Sequence, residues 1–196
     1  DCKGIIKPKW NDDPSDEQVE KLLKRNAKLL ESACKAAGFD YAKSLYHNNP
    51  SHNGVKALLA HNQDWITSAG VEFINTAAKD DKPFFLWCAT TLPHGPTDDK
   101  RSWKADERIT SEGLLDKPLN VQASRESLGT RVAESGIRGW QKENLLWIDD
   151  GLGALVQELE KNGVLDNTII IYFNDHGQRS KGTIYEGGVH SEAFVW

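Results

Sequence analysis

Apolar positions along the chain fall into three stretches of helical period and three short continuous runs, and their order constrains the fold before anything else does. After an irregular opening over residues 1–14, Ser15-Asp-Glu-Gln18 has the form of a capping box, in which the serine side chain accepts an amide proton while the glutamine reaches back. Val19, Leu22, Leu23, Leu29, Leu30, Ala33 and Ala37 then recur at helical spacing, and Gly38 supplies a left-handed stop. The pattern predicts a helix over about residues 16–37. Residues 39–63 are rich in Asn, His, Pro and Gly and read as an ordered connection with at most one helical turn near Val55–Ala60. A second helix is expected from Asp64, which can cap it, with Ile66, Ala69, Phe73 and Ala77 on one face and Lys79-Asp-Asp-Lys-Pro83 as its end.

Phe84-Phe-Leu-Trp-Cys-Ala-Thr90 is a continuous apolar run of strand length, the pattern of a strand covered on both faces in the middle of a parallel sheet. Residues 93–135 carry Pro, Gly, Ser and charges without a sustained period, so a long variable loop is expected over about 95–135. A third helix is predicted from about Gly136 to Lys161, with Leu145, Ile148, Leu152, Leu155 and Leu159 on one face and Gly163 beyond its end. Thr168-Ile-Ile-Ile-Tyr-Phe173 reads as a second buried strand and Ala193-Phe-Val-Trp196 as the start of a third. Helices alternating with apolar strands predict an α/β layered fold.

Composition narrows this only at the margins. The 196 residues, 38% of them hydrophobic, suffice to bury one sizeable core. With 24 basic against 29 acidic residues the formal charge is -5, and the basic residues are scattered, which argues against nucleic acid as the partner. No apolar run approaches the ~20 residues that span a bilayer. Cys2, Cys34 and Cys88 stand too far apart for a disulfide framework or a Cys-based zinc site. Cys34 falls on the apolar side of the first helix and Cys88 inside the first strand, where a small buried thiol is expected.

In open α/β sheets, ligands bind beyond the carboxyl ends of the strands. The first strand runs into Thr90-Thr-Leu-Pro-His94-Gly-Pro96 and the second into Asn174-Asp175-His176-Gly177, so each delivers a histidine on a Gly- or Pro-restricted turn. Asp175 and His176 can offer a carboxylate oxygen and an imidazole nitrogen to one cation. Asp-His-Gly is equally a simple turn. Lys181, in Ser180-Lys181-Gly182, could neutralise an anion, and His94 could donate to a leaving oxygen, although each residue alone is more often only solvated or bonded to backbone.

The ordered set carries more than its members. Pro83-Phe-Phe-Leu-Trp87 and Leu92-Pro-His94-Gly-Pro96 are followed by Glu143-Asn-Leu-Leu-Trp-Ile-Asp149, then Gly153-Ala-Leu-Val-Gln-Glu-Leu-Glu160. Gly163-Val-Leu-Asp-Asn-Thr-Ile-Ile-Ile-Tyr-Phe-Asn-Asp175-His176-Gly177 and Lys181-Gly-Thr-Ile-Tyr-Glu-Gly-Gly188 complete the series. Over residues 82–196 this resembles the sulfatase family of the alkaline phosphatase superfamily, and Ala37-Gly-Phe-Asp-Tyr41 resembles it loosely. The resemblance implies an alkaline phosphatase-like α/β/α sandwich with a largely parallel central sheet, here incomplete. It implies that Asp175 and His176 are two ligands of one divalent cation, usually Ca2+, with Mg2+ or Mn2+ as alternatives. Lys181 would contact the sulfate, and His94 would sit beside the scissile ester oxygen. Both would serve catalysis and substrate binding. Family members cleave sulfate esters with a formylglycine made from Cys or Ser in a Cys/Ser-x-Pro-x-Arg motif. That motif is absent from residues 1–196, as is an early Asp-Asp pair after an apolar strand: Asp12-Asp13 precedes a proline and reads as loop, and Asp149-Asp150 reads as the solvated or capping side of a helix. Where the family often has Arg after Gly-Gly-Val, the chain has His190.

The chain is therefore expected to be a downstream part of a sulfatase catalytic domain, inactive without its upstream half, and periplasmic or secreted by resemblance. The expected partner is a sulfated small molecule or glycan. A phosphodiesterase or phosphonate hydrolase of the same superfamily is the nearest alternative. Two-zinc members resemble one another in a histidine four residues after an upstream aspartate, but Gly153 and Ala154 stand at that spacing from Asp149 and Asp150. A non-catalytic module for anionic glycans, using His94, Lys181, Trp10 and Trp103, is the alternative from a different class.

Overall fold

The computed structural model describes residues 4–80, 82–177 and 179–196. It divides into two compact units, Asp1–Asn162 and Gly163–Trp196.

In the first unit, helix α1 spans Glu17–Ala36, close to the predicted limits. Its cap is Asp16 rather than Ser15: the Asp16 carboxylate accepts the amides of Gln18 and Val19, and the Ser15 hydroxyl turns back to Asp13. A carboxylate is the stronger acceptor and also meets the positive end of the helix dipole. At the other end the Gly38 amide bonds the Lys35 carbonyl and the Phe39 amide bonds Cys34, a Schellman closure. Leu23 on this helix packs with Val55 and Leu58, flanked by Val19 and Ile109.

Helix α2 spans Gln63–Ala77 and is capped by Asn62, not Asp64. Asp64 is drawn away by a stronger partner, the buried guanidinium of Arg125, and also accepts the Trp147 indole N–H at 3.2 Å. Gln63 through Thr67 are all buried, so this helix runs through the interior. It packs on helix α4, Lys142–Lys161, along Asn144, Trp147, Ile148, Gly151 and Ala154. The buried stripe is turned away from Leu145, which is 47% exposed.

Residues 95–135 hold more regular structure than their composition suggests. They include a two-stranded hairpin, β1 Ile109–Thr110 with β2 Gly113–Leu114, and helix α3, Leu128–Ser135. The predicted third helix starts late because Gly136 ends α3 in the left-handed conformation, φ 67°, and α4 begins only at Lys142. Asp150 is not solvated: Arg131 grips it with two bonds of 2.7 Å.

The run 84–90 forms no β-ladder among the described residues. Its sides alternate, with Phe84 and Leu86 half-buried and Phe85 and Trp87 exposed, so one face is covered rather than two. Phe84 meets Phe73 of α2 edge to face at 5.7 Å. Cys88 is exposed and Cys34 half-buried, contrary to the expected buried thiols. Cys2 lies outside the described residues.

In the second unit, β3 (Ile171–Phe173) pairs antiparallel with β4 (Ala193–Val195), Tyr172 opposite Phe194 with their rings stacked at 5.1 Å. Residues 174–192, which include the short helix α5 (Glu186–Val189), return the chain to the same end of the ribbon, and such a return can make only an antiparallel pair. The predicted strands at 168–173 and 193–196 thus exist in shortened form. Ile169 and Ile171, expected to be covered, are 78% and 61% exposed. Among the described residues both strand pairs are antiparallel.

Candidate functional site

His94 rides on the turn that follows the run 84–90. Its amide bonds the Thr91 carbonyl at 3.2 Å. Its Nδ1 lies 3.3 Å from the Gly95 carbonyl, and its Nε2 lies 3.3 Å from the Asn49 side-chain amide. A carbonyl can only accept and an amide N–H2 can only donate, so the proton belongs on Nδ1 and Nε2 presents its lone pair. The ring is exposed.

The turn beneath it is held by side chains that composition alone did not single out. Thr90 donates its hydroxyl to Gln63 at 2.7 Å, Gln141 donates to the Pro93 carbonyl at 2.8 Å, and His61 reaches both Thr91 and Pro96. His61 is fully buried, and desolvation pushes its pKa down to about 4, against the smaller opposing effect of the Pro96 carbonyl it bonds. The sequence signal that could have found it is its place in the buried run Leu58-Leu59-Ala60-His61-Asn62, immediately ahead of an interior helix.

Asp175, His176 and Lys181 all lie in the second unit, on the connection from β3 to β4. This loop is built backbone against backbone. The Gly177 amide bonds the Gly188 carbonyl at 3.1 Å and the Arg179 amide bonds Gly187 at 2.9 Å. A Cβ on Gly177 would run into the Gly187 carbonyl, and one on Gly188 would sit 2.6 Å from the Ser180 carbonyl. Only glycine admits that approach, which explains Gly177 and Gly188. Ser191 adds a hydroxyl bond to the Asn174 carbonyl, fixing the chain just ahead of Asp175.

His176 Nδ1 bonds the Gly177 carbonyl at 2.7 Å, so Nδ1 carries a proton and Nε2 is the nitrogen that could ligate. That nitrogen lies 3.4 Å from Asp175 Oδ2. A nitrogen lone pair and a carboxylate oxygen at that separation can share one cation, whose bonds to such atoms run about 2.3–2.6 Å for calcium. Fixing the ring through its other nitrogen is the usual way a ligating histidine is oriented. The pair fits half of a cation site, and no group of three His, Cys, Asp or Glu side chains gathers for a metal among the described residues. Lys181 stands exposed on a turn closed by the Thr183 amide and hydroxyl, both to the Ser180 carbonyl. His190 lies between Glu186 at 3.3 Å and Glu192 at 3.9 Å. Trp103 is packed against its own fold, under the Lys104 ammonium at 4.4 Å and bonded to Asp99, while Trp10 is half exposed.

A family model described as Sulfatase matches residues 24–196. An uncharacterized sulfatase of Escherichia coli (strain K12), YdeN, is 26% identical over 176 residues, covering 81% of this chain and 27% of that protein. An ulvan-active sulfatase of Formosa agariphila is 28% identical over 150 residues, with 72% and 28% covered. The N-acetylgalactosamine-6-sulfatase of Mus musculus is 25% identical over 146 residues, with 66% and 22% covered. The chain thus spans about a quarter of the length of these relatives. Among the described residues no helix is long and apolar enough to cross a membrane.

Proposed function

The chain belongs to the sulfatase family, and from that premise we propose that the protein containing it hydrolyses sulfate esters, using His94, Asp175, His176 and Lys181. The observation that carries this reading is the Asp175–His176 pair. Its tautomer and spacing suit a cation, and it sits on a glycine-built loop beside a cationic side chain in sequence. Asp175 Oδ2 and His176 Nε2 would hold one divalent cation, with Ca2+ the proposed ion. Calcium prefers oxygen, so the imidazole contributes one ligand to a set otherwise expected to be oxygens. When bound, the cation would offset the charge of the sulfate oxygens, and the attacking oxygen would come from a formylglycine, whose Cys/Ser-x-Pro-x-Arg motif does not occur in residues 1–196.

The chain's own residues then have separate tasks. Lys181 counters the anionic sulfate as a compact point charge on a short turn. His94 carries its proton on Nδ1, so its Nε2, which faces the Asn49 amide, would first take up a proton and then pass it to the leaving ester oxygen. An α/β/α sandwich with a largely parallel sheet is proposed for the complete domain, in which the exposed edges of β3 and the run 84–90 would be covered. A sulfated carbohydrate is the proposed substrate class, supported by the amino sugar in the name of the Mus musculus relative. A periplasmic or secreted location accompanies this reading.

The test compares the full-length protein on an aryl sulfate and the matching aryl phosphate. Sulfate turnover should dominate, and Lys181→Ala should lower it by about a hundredfold or more, as expected for loss of a charge-stabilising group. Dominant phosphate turnover would sink the proposal.

A further inference from the structure

The polar frame under the His94 turn converges on one residue that the proposed chemistry does not touch. His61 is completely buried, within a run in which Leu58, Ala60 and Asn62 are also buried, and its amide is tied to the Arg101 carbonyl at 3.0 Å. Its backbone therefore has little freedom to shift. Both ring nitrogens are engaged: Nδ1 lies 2.7 Å from the Thr91 hydroxyl and Nε2 lies 2.9 Å from the Pro96 carbonyl. The carbonyl can only accept, which puts the proton on Nε2 and leaves Nδ1 to accept from Thr91. These two bonds hold the chain three residues before His94 and two residues after it. Thr91 also receives the His94 amide on its carbonyl, so the turn is closed at the base that His61 grips.

We propose that His61 is a positioning residue, a buried neutral imidazole that fixes the 91–96 turn and thereby sets where the His94 ring meets the substrate. The alternative is that His61 merely fills space. An apolar side chain would fill it without the cost of burying two polar nitrogens, and that cost is repaid only because both find partners. The depressed basicity of the ring keeps it neutral across the physiological range, so the donor and acceptor pattern does not change with ordinary shifts in pH. Full burial keeps the ring from substrate, so its effect runs through His94. The proposal rests on the sulfate-ester reading for its kinetic part and on the structure alone for the hold on the turn.

The experiment uses the full-length protein with His61→Leu, His61→Gln and Thr91→Val, the last chosen because it removes the bond from the loop side and leaves the buried run intact. Turnover of an aryl sulfate is measured together with hydrogen exchange of the peptide covering 91–96. Thr91→Val and His61→Leu should lower kcat by about tenfold or more, with KM moving less, because misplacement of a reacting group acts on the chemical step. Exchange at the His94 amide should accelerate in both. His61→Gln, whose amide offers one donor and one acceptor, should recover about tenfold in kcat over His61→Leu. Wild-type kcat in Thr91→Val, or a Gln variant no better than Leu, would overturn the proposal. If the wild type turns over no sulfate, the exchange decides alone: acceleration upholds the hold on the turn and faults the reaction assigned to the protein, and unchanged exchange overturns the positioning role.

Discussion

The two units hold the side chains of the proposed site by different means. In Asp1–Asn162, His94 stands on a turn fastened by side-chain bonds from His61, Gln63 and Gln141, which belong to or adjoin the buried helices α2 and α4. In Gly163–Trp196, Asp175, His176 and Lys181 stand on a loop fastened by its own backbone, with glycines where two strands of chain touch. The first arrangement draws its order from a core. The second draws it from local geometry, while Ile169, Ile184 and Trp196 remain 78%, 92% and 63% exposed. Substitutions of the frame in the first unit should therefore act through stability and position, whereas in the second they should act through local shape.

The largest expected effect on stability lies in the first unit. Arg125→Met removes the guanidinium that binds Asp64 and Asn62 and stacks on Trp147 at 4.3 Å, leaving a buried carboxylate without its counter-charge. Breaking a buried pair in this way costs about 3–5 kcal/mol, to be read from denaturant unfolding of the full-length protein. A change under about 1 kcal/mol would show that the frame is not held there.

His61 provides a second handle with a defined sign. Its pKa is about 4 in the folded protein, below the ordinary 6.5. Between those values the unfolded chain binds a proton that the folded chain refuses, so stability rises with pH across the window. The contribution is present in full above 6.5 and is lost as pH falls toward 4, amounting to about 3 kcal/mol. The expected observation is a steeper loss of unfolding free energy between pH 6.5 and 4 in the wild type than in His61→Gln. Equal slopes would mean that the ring is already charged when folded.

A smaller effect, confined to the second unit, is expected from Gly188→Ala. The added methyl would lie 2.6 Å from the Ser180 carbonyl and 2.9 Å from that of Thr183, both backbone atoms that cannot swing aside. Such overpacking costs about 1–3 kcal/mol, and it should appear as faster hydrogen exchange over 174–188 and weaker calcium binding, with exchange in α2 unchanged. Loss of protection in both units together would show that the loop of the second unit is not held by its own backbone alone.

How far the sequence disclosed this arrangement depended on whether the cause was local. The leucine stripe and Gly38 located α1 to within a residue or so because helix period and terminator act over a few positions. The apolar runs at 168–173 and 193–196 located β3 and β4, but not their burial, since what covers a strand lies elsewhere in space. Asp64 was legible as a cap and is instead the partner of Arg125, sixty-one residues away, a pairing that no local pattern encodes. Asp150 was misread for the same reason, through Arg131. The turns that carry His94, Asp175, His176 and Lys181 were legible, because the glycines and prolines that shape them stand beside them in the sequence. His61 was not, because a histidine ahead of a helix looks like any other loop residue until the chain folds back upon it.

On the proposed reading, Asp175 and His176 hold a cation on which sulfate-ester hydrolysis depends. The most direct measurement follows aryl sulfate turnover by the full-length protein as Ca2+ is removed with chelator and restored, with Asp175→Asn measured beside the wild type. Wild-type turnover should vanish and return, while the variant stays at least about a hundredfold lower even at saturating Ca2+. Turnover in the variant equal to that of the wild type, or indifference of the wild type to chelator, would rule out a catalytic cation held by this pair.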